Sequence, residues 1–189
     1  MNNPLELESV IARTRDILAQ LLVMEVEDIN AESSLVEDLS ADSLDIVDLS
    51  FQLGRLYGCT LPKISVLDHA VAVCGDIRAF VGEAGLTEAG KSLLEASLSA
   101  YAPSQLRVGM RAADVFAATT VRNWAEQCRN LFDHLPTVCP QCGGDHAELN
   151  RQQQVVCTSC SAKLTPADGD DVSRRQVEAF VAAHLEEKA

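Results

Sequence analysis

The sequence predicts a mainly α-helical protein with a small β module near its C-terminal end. Three observations lead there. Apolar residues recur at steps of three and four over several stretches, the period of a helix with one buried face. The chain is 47% apolar but only 4% aromatic, so its core is aliphatic. Two Cys-x-x-Cys pairs fall within residues 137–168, where helix signals are few. At 189 residues the chain is long enough for one mid-sized domain or two small ones.

The clearest amphipathic helix spans residues 5–22, with Leu7, Val10, Ile11, Thr14, Ile17, Leu18, Leu21 and Leu22 on one side. Residues 23–42 are acidic and irregular, an ordered loop pinned by Ile29, Leu35 and Leu39. A second helix over 43–57 has Ser43 as its expected N-cap and Gly58 where a left-handed residue ends it. Pro62 marks an extended turn, and short helices are expected at 66–73 and 75–83. Thr87 caps a helix running toward Tyr101, broken by Pro103. Val121, Trp124, Ala125, Cys128, Leu131, Phe132 and Leu135 form a strong helical repeat, capped by Thr119 or Thr120 and ended by Pro136. A last helix over 172–187 has Ser173 and Gln176 at capping-box spacing and a thin apolar stripe of Val177, Phe180, Val181 and Leu185.

The net charge of −13 is concentrated in the first half: residues 1–84 hold 5 Lys and Arg against 15 Asp and Glu, and the remainder 10 against 13. Such a field disfavours nucleic acid and anionic membrane and favours basic protein surfaces. The N-terminal Met-Asn-Asn-Pro-Leu-Glu has neither a basic start nor an apolar block, and no apolar run approaches a membrane span, so a cytoplasmic location is expected.

The segment Asp38-Leu39-Ser40-Ala41-Asp42-Ser43-Leu44-Asp45 carries the functional argument. A serine opening a helix is ordinarily a cap and nothing more. Here it follows an amphipathic helix and an acidic loop, and it opens a helix studded with carboxylates that ends in Leu56-Tyr57-Gly58. Over about residues 5–84, and specifically over 35–58, this arrangement resembles the acyl carrier protein family. The resemblance implies a four-helix bundle and a 4'-phosphopantetheine arm on Ser43. It also implies that Leu44, Val47 and the carboxylates Asp38, Asp42, Asp45 and Asp48 dock partners: a phosphopantetheinyl transferase, an acyl- or aminoacyl-loading enzyme, and synthase or tailoring enzymes with basic patches. No catalytic residue is expected, and no histidine lies within twenty residues of Ser43. The segment 62–70 departs from the family pattern. The fourth bundle helix has two candidates. One is 75–83, which the sequence favours; the other is 120–135, with an insertion over 64–118.

Cys139-Pro140-Gln141-Cys142-Gly143-Gly144 and Cys157-Thr158-Ser159-Cys160 are separated by fourteen residues. Two such knuckles aim four thiolates at one point and suit a closed tetrahedral zinc site. The stretch resembles a zinc ribbon over about 137–166. Two disulfides, a rubredoxin-like iron site and a redox CxxC are the competing readings, and the absence of Phe, Tyr and Trp from 137–168 speaks against iron. His146 is a possible stray ligand. Cys59, Cys74 and Cys128 read as buried apolar positions.

The expected organisation is therefore a carrier-like domain at 1–84, a helical extension packing on it at 85–136, a zinc ribbon at 137–168 and a C-terminal helix at 169–189. The expected function is a carrier of acyl or aminoacyl thioesters for fatty-acid, polyketide or peptide chemistry, with the ribbon serving structure or partner selection. The alternative is an unmodified scaffold or regulatory adaptor that uses both modules to bind proteins.

Overall fold

A computed structural model describes residues 1–184. Leu185 and the end of the expected last helix lie outside the described residues. Helix α1 (Leu7–Leu22) buries Val10, Ile11, Thr14 and Leu18, and α2 (Ser43–Tyr57) buries Leu49, Leu53 and Tyr57. Both follow the apolar period of the sequence. Gly58, at φ 78°, ends α2 in the left-handed conformation its missing Cβ allows. The acidic loop between them is ordered by burial of Ile29, Leu35 and Leu39. Backbone bonds also stitch it to a distant segment: Leu35 N–H to Thr119 O, Val121 N–H to Ser33 O and Arg122 N–H to Ala31 O.

That segment leads into α6 (Val121–Leu131), which decides the bundle. Thr120 caps it, accepting from Asn123 N–H, and a 3₁₀ turn at Phe132–His134 follows. Helix α6 packs against α1, and its Val121, Ala125, Cys128 and Leu131 join one core with the buried faces of α1 and α2. The favoured fourth helix at 75–83 does not form. Gly75 caps α3 (Val66–Cys74), and the chain then makes a 3₁₀ turn at Ile77–Ala79 and a short antiparallel pair, β1 (Val81–Gly82) with β2 (Gly85–Leu86). The candidate at 120–135 takes the bundle position, because it alone presents an apolar face long enough to cover α1.

The intervening chain builds a second core. Helix α3, β2, α4 (Glu88–Glu95), α5 (Ala112–Ala117) and the last helix α7 (Gly169–His184) contribute Leu67, Ala70, Leu86, Leu93, Leu94, Val115, Val177 and Phe180. Thr87 caps α4 as the sequence indicates, but α4 ends at Glu95, well short of Tyr101. Helix α7 starts three residues earlier than expected, and Ser173 is buried inside it rather than capping it. Its anchor is Gly169, whose N–H donates to Thr60 O; a Cβ there would collide with the Pro62 nitrogen.

The cysteine segment carries β3 (Ala147–Leu149) paired antiparallel with β4 (Val155–Cys157). Its Cys139, Ala147, Val155, Cys157 and Leu164 belong to the same core as α1, α2 and α6. Among the described residues no helix is long and apolar enough to cross a membrane.

Candidate functional site: a free serine beside an apolar helix face, and a four-thiol cluster

Ser43 is the first residue of α2 and is exposed. It is not the cap. Asp42 takes that role: its Oδ1 accepts from Leu44 N–H at 2.7 Å and Asp45 N–H at 3.0 Å, while Asp45 Oδ2 accepts from Asp42 N–H at 2.9 Å. The reciprocal pair is a capping box, and its three-residue spacing was present in the sequence. Two neighbouring residues of capping type competed, and the carboxylate won. The consequence is chemical. The Ser43 hydroxyl makes no hydrogen bond among the described residues, so it is free to react. Two of the helix's leading N–H groups are held by Asp42. Replacing Asp42 by Ala is expected to lower stability by about 1 kcal/mol, read from a chemical denaturation midpoint, while leaving Ser43 in place.

The proposed docking residues separate by environment. Leu44 and Val47 are 76% and 67% exposed, and Phe51, missed in the sequence, extends the same face at 64%. Residues 44, 47 and 51 share one side of a helix by spacing alone, a signal readable beforehand. Asp48 is exposed without a hydrogen bond among the described residues. Asp38 and Asp45 are occupied structurally: Asp38 Oδ2 accepts from Ser34 N–H at 2.7 Å, and Asp45 closes the capping box.

Below α2, the four cysteines converge. Their sulfurs all lie within 4.8 Å of one another, with Cys139–Cys160 at 3.7 Å and Cys142–Cys157 at 3.6 Å. A tetrahedron with Zn–S bonds of about 2.3 Å has edges of about 3.8 Å, so the spacing fits an S₄ zinc site and is far too long for disulfides. Both knuckles use one turn. Gly143 N–H donates to Cys139 O and Ser161 N–H to Cys157 O, with Gly143 and Ser161 left-handed at φ 74° and 58°. Backbone N–H groups of Ser159 and Cys160 hold the Cys157 thiol down to about 7. At Cys142 the Gly144 N–H acts the same way, but the neighbouring thiols outweigh it and push the group up to about 12. His146 is no ligand: it stands outside the cluster and pairs with Asp145 at 2.6 Å. Cys128 is buried in α6, where the adjoining Cys59 thiol and burial raise it well above an ordinary thiol, in keeping with an inert core position.

Comparison with known proteins bears on the first half. A family profile described as "Phosphopantetheine attachment site" matches residues 12–72, which hold most of α1, all of α2 and most of α3. The acyl carrier protein of Rubrobacter xylanophilus is 33% identical over 69 residues, covering 34% of this chain and 85% of that protein. The chain belongs to the acyl carrier protein family. The acyl carrier protein of Coprothermobacter proteolyticus is 39% identical over 54 residues, 29% of this chain and 66% of that relative. No solved structure matches. The profile match stops short of α6, so the helix that completes the bundle lies beyond it. In this member of the acyl carrier protein family, the chain between α2 and α6, which includes α3, separates the bundle's parts in sequence.

Proposed function

We propose that this chain is a carrier protein that holds acyl or aminoacyl groups as thioesters on a 4'-phosphopantetheine arm attached to Ser43. The observation that carries the reading is the free, exposed Ser43 hydroxyl at the head of α2, relieved of capping by Asp42. When attached, the arm supplies a terminal thiol on a long flexible tether. What the chain itself does is simple. Ser43 Oγ offers the nucleophile to a transferase that brings coenzyme A. The capping box keeps the head of α2 rigid, and the face of Leu44, Val47 and Asp48 presents the site to basic partner surfaces. Loading enzymes, synthases and tailoring enzymes in the cytoplasm would read that face by fast, salt-sensitive contacts. The four-cysteine module holds zinc as a closed structural site without an open coordination position, so its role is to brace the carrier and select partners rather than to react.

The experiment is intact-protein mass after incubation with coenzyme A and a broad-specificity phosphopantetheinyl transferase. Wild type is expected to gain one phosphopantetheine and Ser43→Ala none. A folded wild type that gains nothing would make Ser43 structural and favour the adaptor reading. Elemental analysis of the same sample is expected to show one zinc per chain; iron with visible absorption would instead favour the redox reading.

A further inference from the structure

A cavity of about 1070 Å³ lies between α2 and α6 of the bundle on one side and the second core on the other. That is at the upper end of the range for small-molecule sites. It begins one turn from Ser43: Ile46, Val47, Ser50 and Phe51 form its α2 wall, and Ser50 is about 10 Å along the helix from Ser43. The far wall comes from the inserted chain. Two features of the lining are unusual for this protein. The chain has one Trp, two Tyr and five Phe, and four of these, Phe51, Tyr101, Phe116 and Trp124, line this one cavity. Both cores are otherwise dominated by aliphatic side chains. Polar groups also stand on the wall without partners: the Ser50 hydroxyl, the Trp124 indole N–H and the Gln127 amide make no hydrogen bond among the described residues. Tyr101 and Thr119 pair with each other at 2.7 Å.

We infer that this cavity receives the group carried on the arm, and that it is built for a ring-bearing acyl group with hydrogen-bonding substituents. The inference rests on the carrier reading of Ser43. Aromatic walls contact a planar ring in stacked or edge-on geometry, an attraction beyond simple area burial. The unpaired Trp124 N–H, Gln127 and Ser50 reward a hydroxylated or amide-bearing cargo. A saturated chain would dehydrate the same groups without pairing them, which opposes its entry. Phe116 and Phe51, 52% and 64% exposed, are the most exposed aromatic side chains of the lining.

Trp124 is the only tryptophan, so the protein carries its own reporter. The full chain is loaded with acetyl-, octanoyl- or 4-hydroxybenzoyl-coenzyme A by a broad-specificity transferase, and loading is verified by intact mass. The hydroxybenzoyl form is expected to change Trp124 emission and raise Tm by about 4 °C, the octanoyl form to do less than half as much, and the acetyl form nothing. Phe116→Ala, at the rim and outside both cores, is expected to load fully and lose at least half of that Tm increment. Gln127→Leu is expected to lower the hydroxybenzoyl increment and raise the octanoyl one. Complete loading with emission and Tm unchanged, or an octanoyl increment equal to the aromatic one, would overturn the inference while leaving the carrier reading intact. No mass gain with any donor would overturn the carrier reading and this inference with it.

Discussion

Stripping the zinc proposed for the four-cysteine site with a chelator at neutral pH is expected to unfold the carrier bundle along with the cysteine module. The module is joined to the bundle by shared core and by the chain's first residues. Cys139, Ala147, Val155, Cys157 and Leu164 pack in one cluster with Leu53, Tyr57 and Phe132. The N-terminal ammonium of Met1 donates to Pro136 O and Thr137 O, each at 3.2 Å. Asn2 bonds the Ala147 backbone in both directions, and the Asn3 amide donates to Arg129 O at 2.8 Å. Within the module itself, two strands of three residues each supply little regular structure, so its four thiolates are its main internal tie. Structural zinc contributes about 10 kcal/mol to folding of small modules, comparable with the whole stability of about 5–15 kcal/mol of an ordinary domain. Chelation, or Cys157→Ser, should therefore abolish the cooperative thermal transition read by far-ultraviolet circular dichroism, not merely soften the module. Retention of full helical signal and an unchanged Tm in a sample shown to be metal-free would defeat the argument, and would mean that the bundle stands without the ribbon.

What the sequence disclosed and what it hid follow a physical line. Local rules placed α1, α2 and α3 within about two residues, because apolar period and caps such as Thr87, Thr120 and Gly58 act over a turn or two. The four cysteines were legible for the same reason: a knuckle is a local turn, and two in register converge. The fourth bundle helix was not legible. Helices 75–83 and 120–135 both carried apolar residues, and the choice between them was made by docking on α1 and by backbone bonds from residues 31–35 to 119–122, contacts across more than eighty residues. The cap of α2 is ambiguous in sequence between adjacent residues, since both Asp42 and Ser43 suit an N-cap and only the Asp42–Asp45 spacing distinguishes them. The cavity was invisible, because Trp124 read as one more position on an apolar face, and its empty side is set by chain that folds back from elsewhere.

The most buried polar tie between that inserted chain and the bundle runs through Asn123, and its removal is the second large effect expected. Asn123 is 1% exposed on α6. Its Oδ1 accepts from Thr120 N–H and Thr120 Oγ1, each at 2.9 Å, and from Gln105 Nε2 at 2.7 Å. Its Nδ2 donates to Ser99 O at 2.9 Å. One amide therefore completes the α6 cap and grips the 99–105 loop. Asn123→Ala leaves the buried Thr120 N–H and the Ser99 carbonyl without partners and takes one contact from the Gln105 amide, which keeps Ala118 O and Ala102 N–H, and unmade buried bonds cost more than made ones contribute. The expected loss is about 3 kcal/mol. Asn130→Ala removes part-buried contacts to Leu98 O at 3.0 Å, Arg129 Nη1 at 3.0 Å and Glu126 Oε2 at 3.3 Å, leaves no fully buried partner behind, and is expected to cost about 1 kcal/mol. Denaturation midpoints give the two values, and a loss for Asn123→Ala no larger than for Asn130→Ala would show that the network is not what holds the units together. Hydrogen exchange adds a spatial readout. Amides of residues 98–106 should exchange faster in Asn123→Ala while those in the middle of α1 and α2 stay protected, because the loop loses its grip on α6 before the bundle core is breached. That loop carries Ser99 and Tyr101, so the same substitution loosens one wall of the cavity beside Ser43 without touching Ser43 itself.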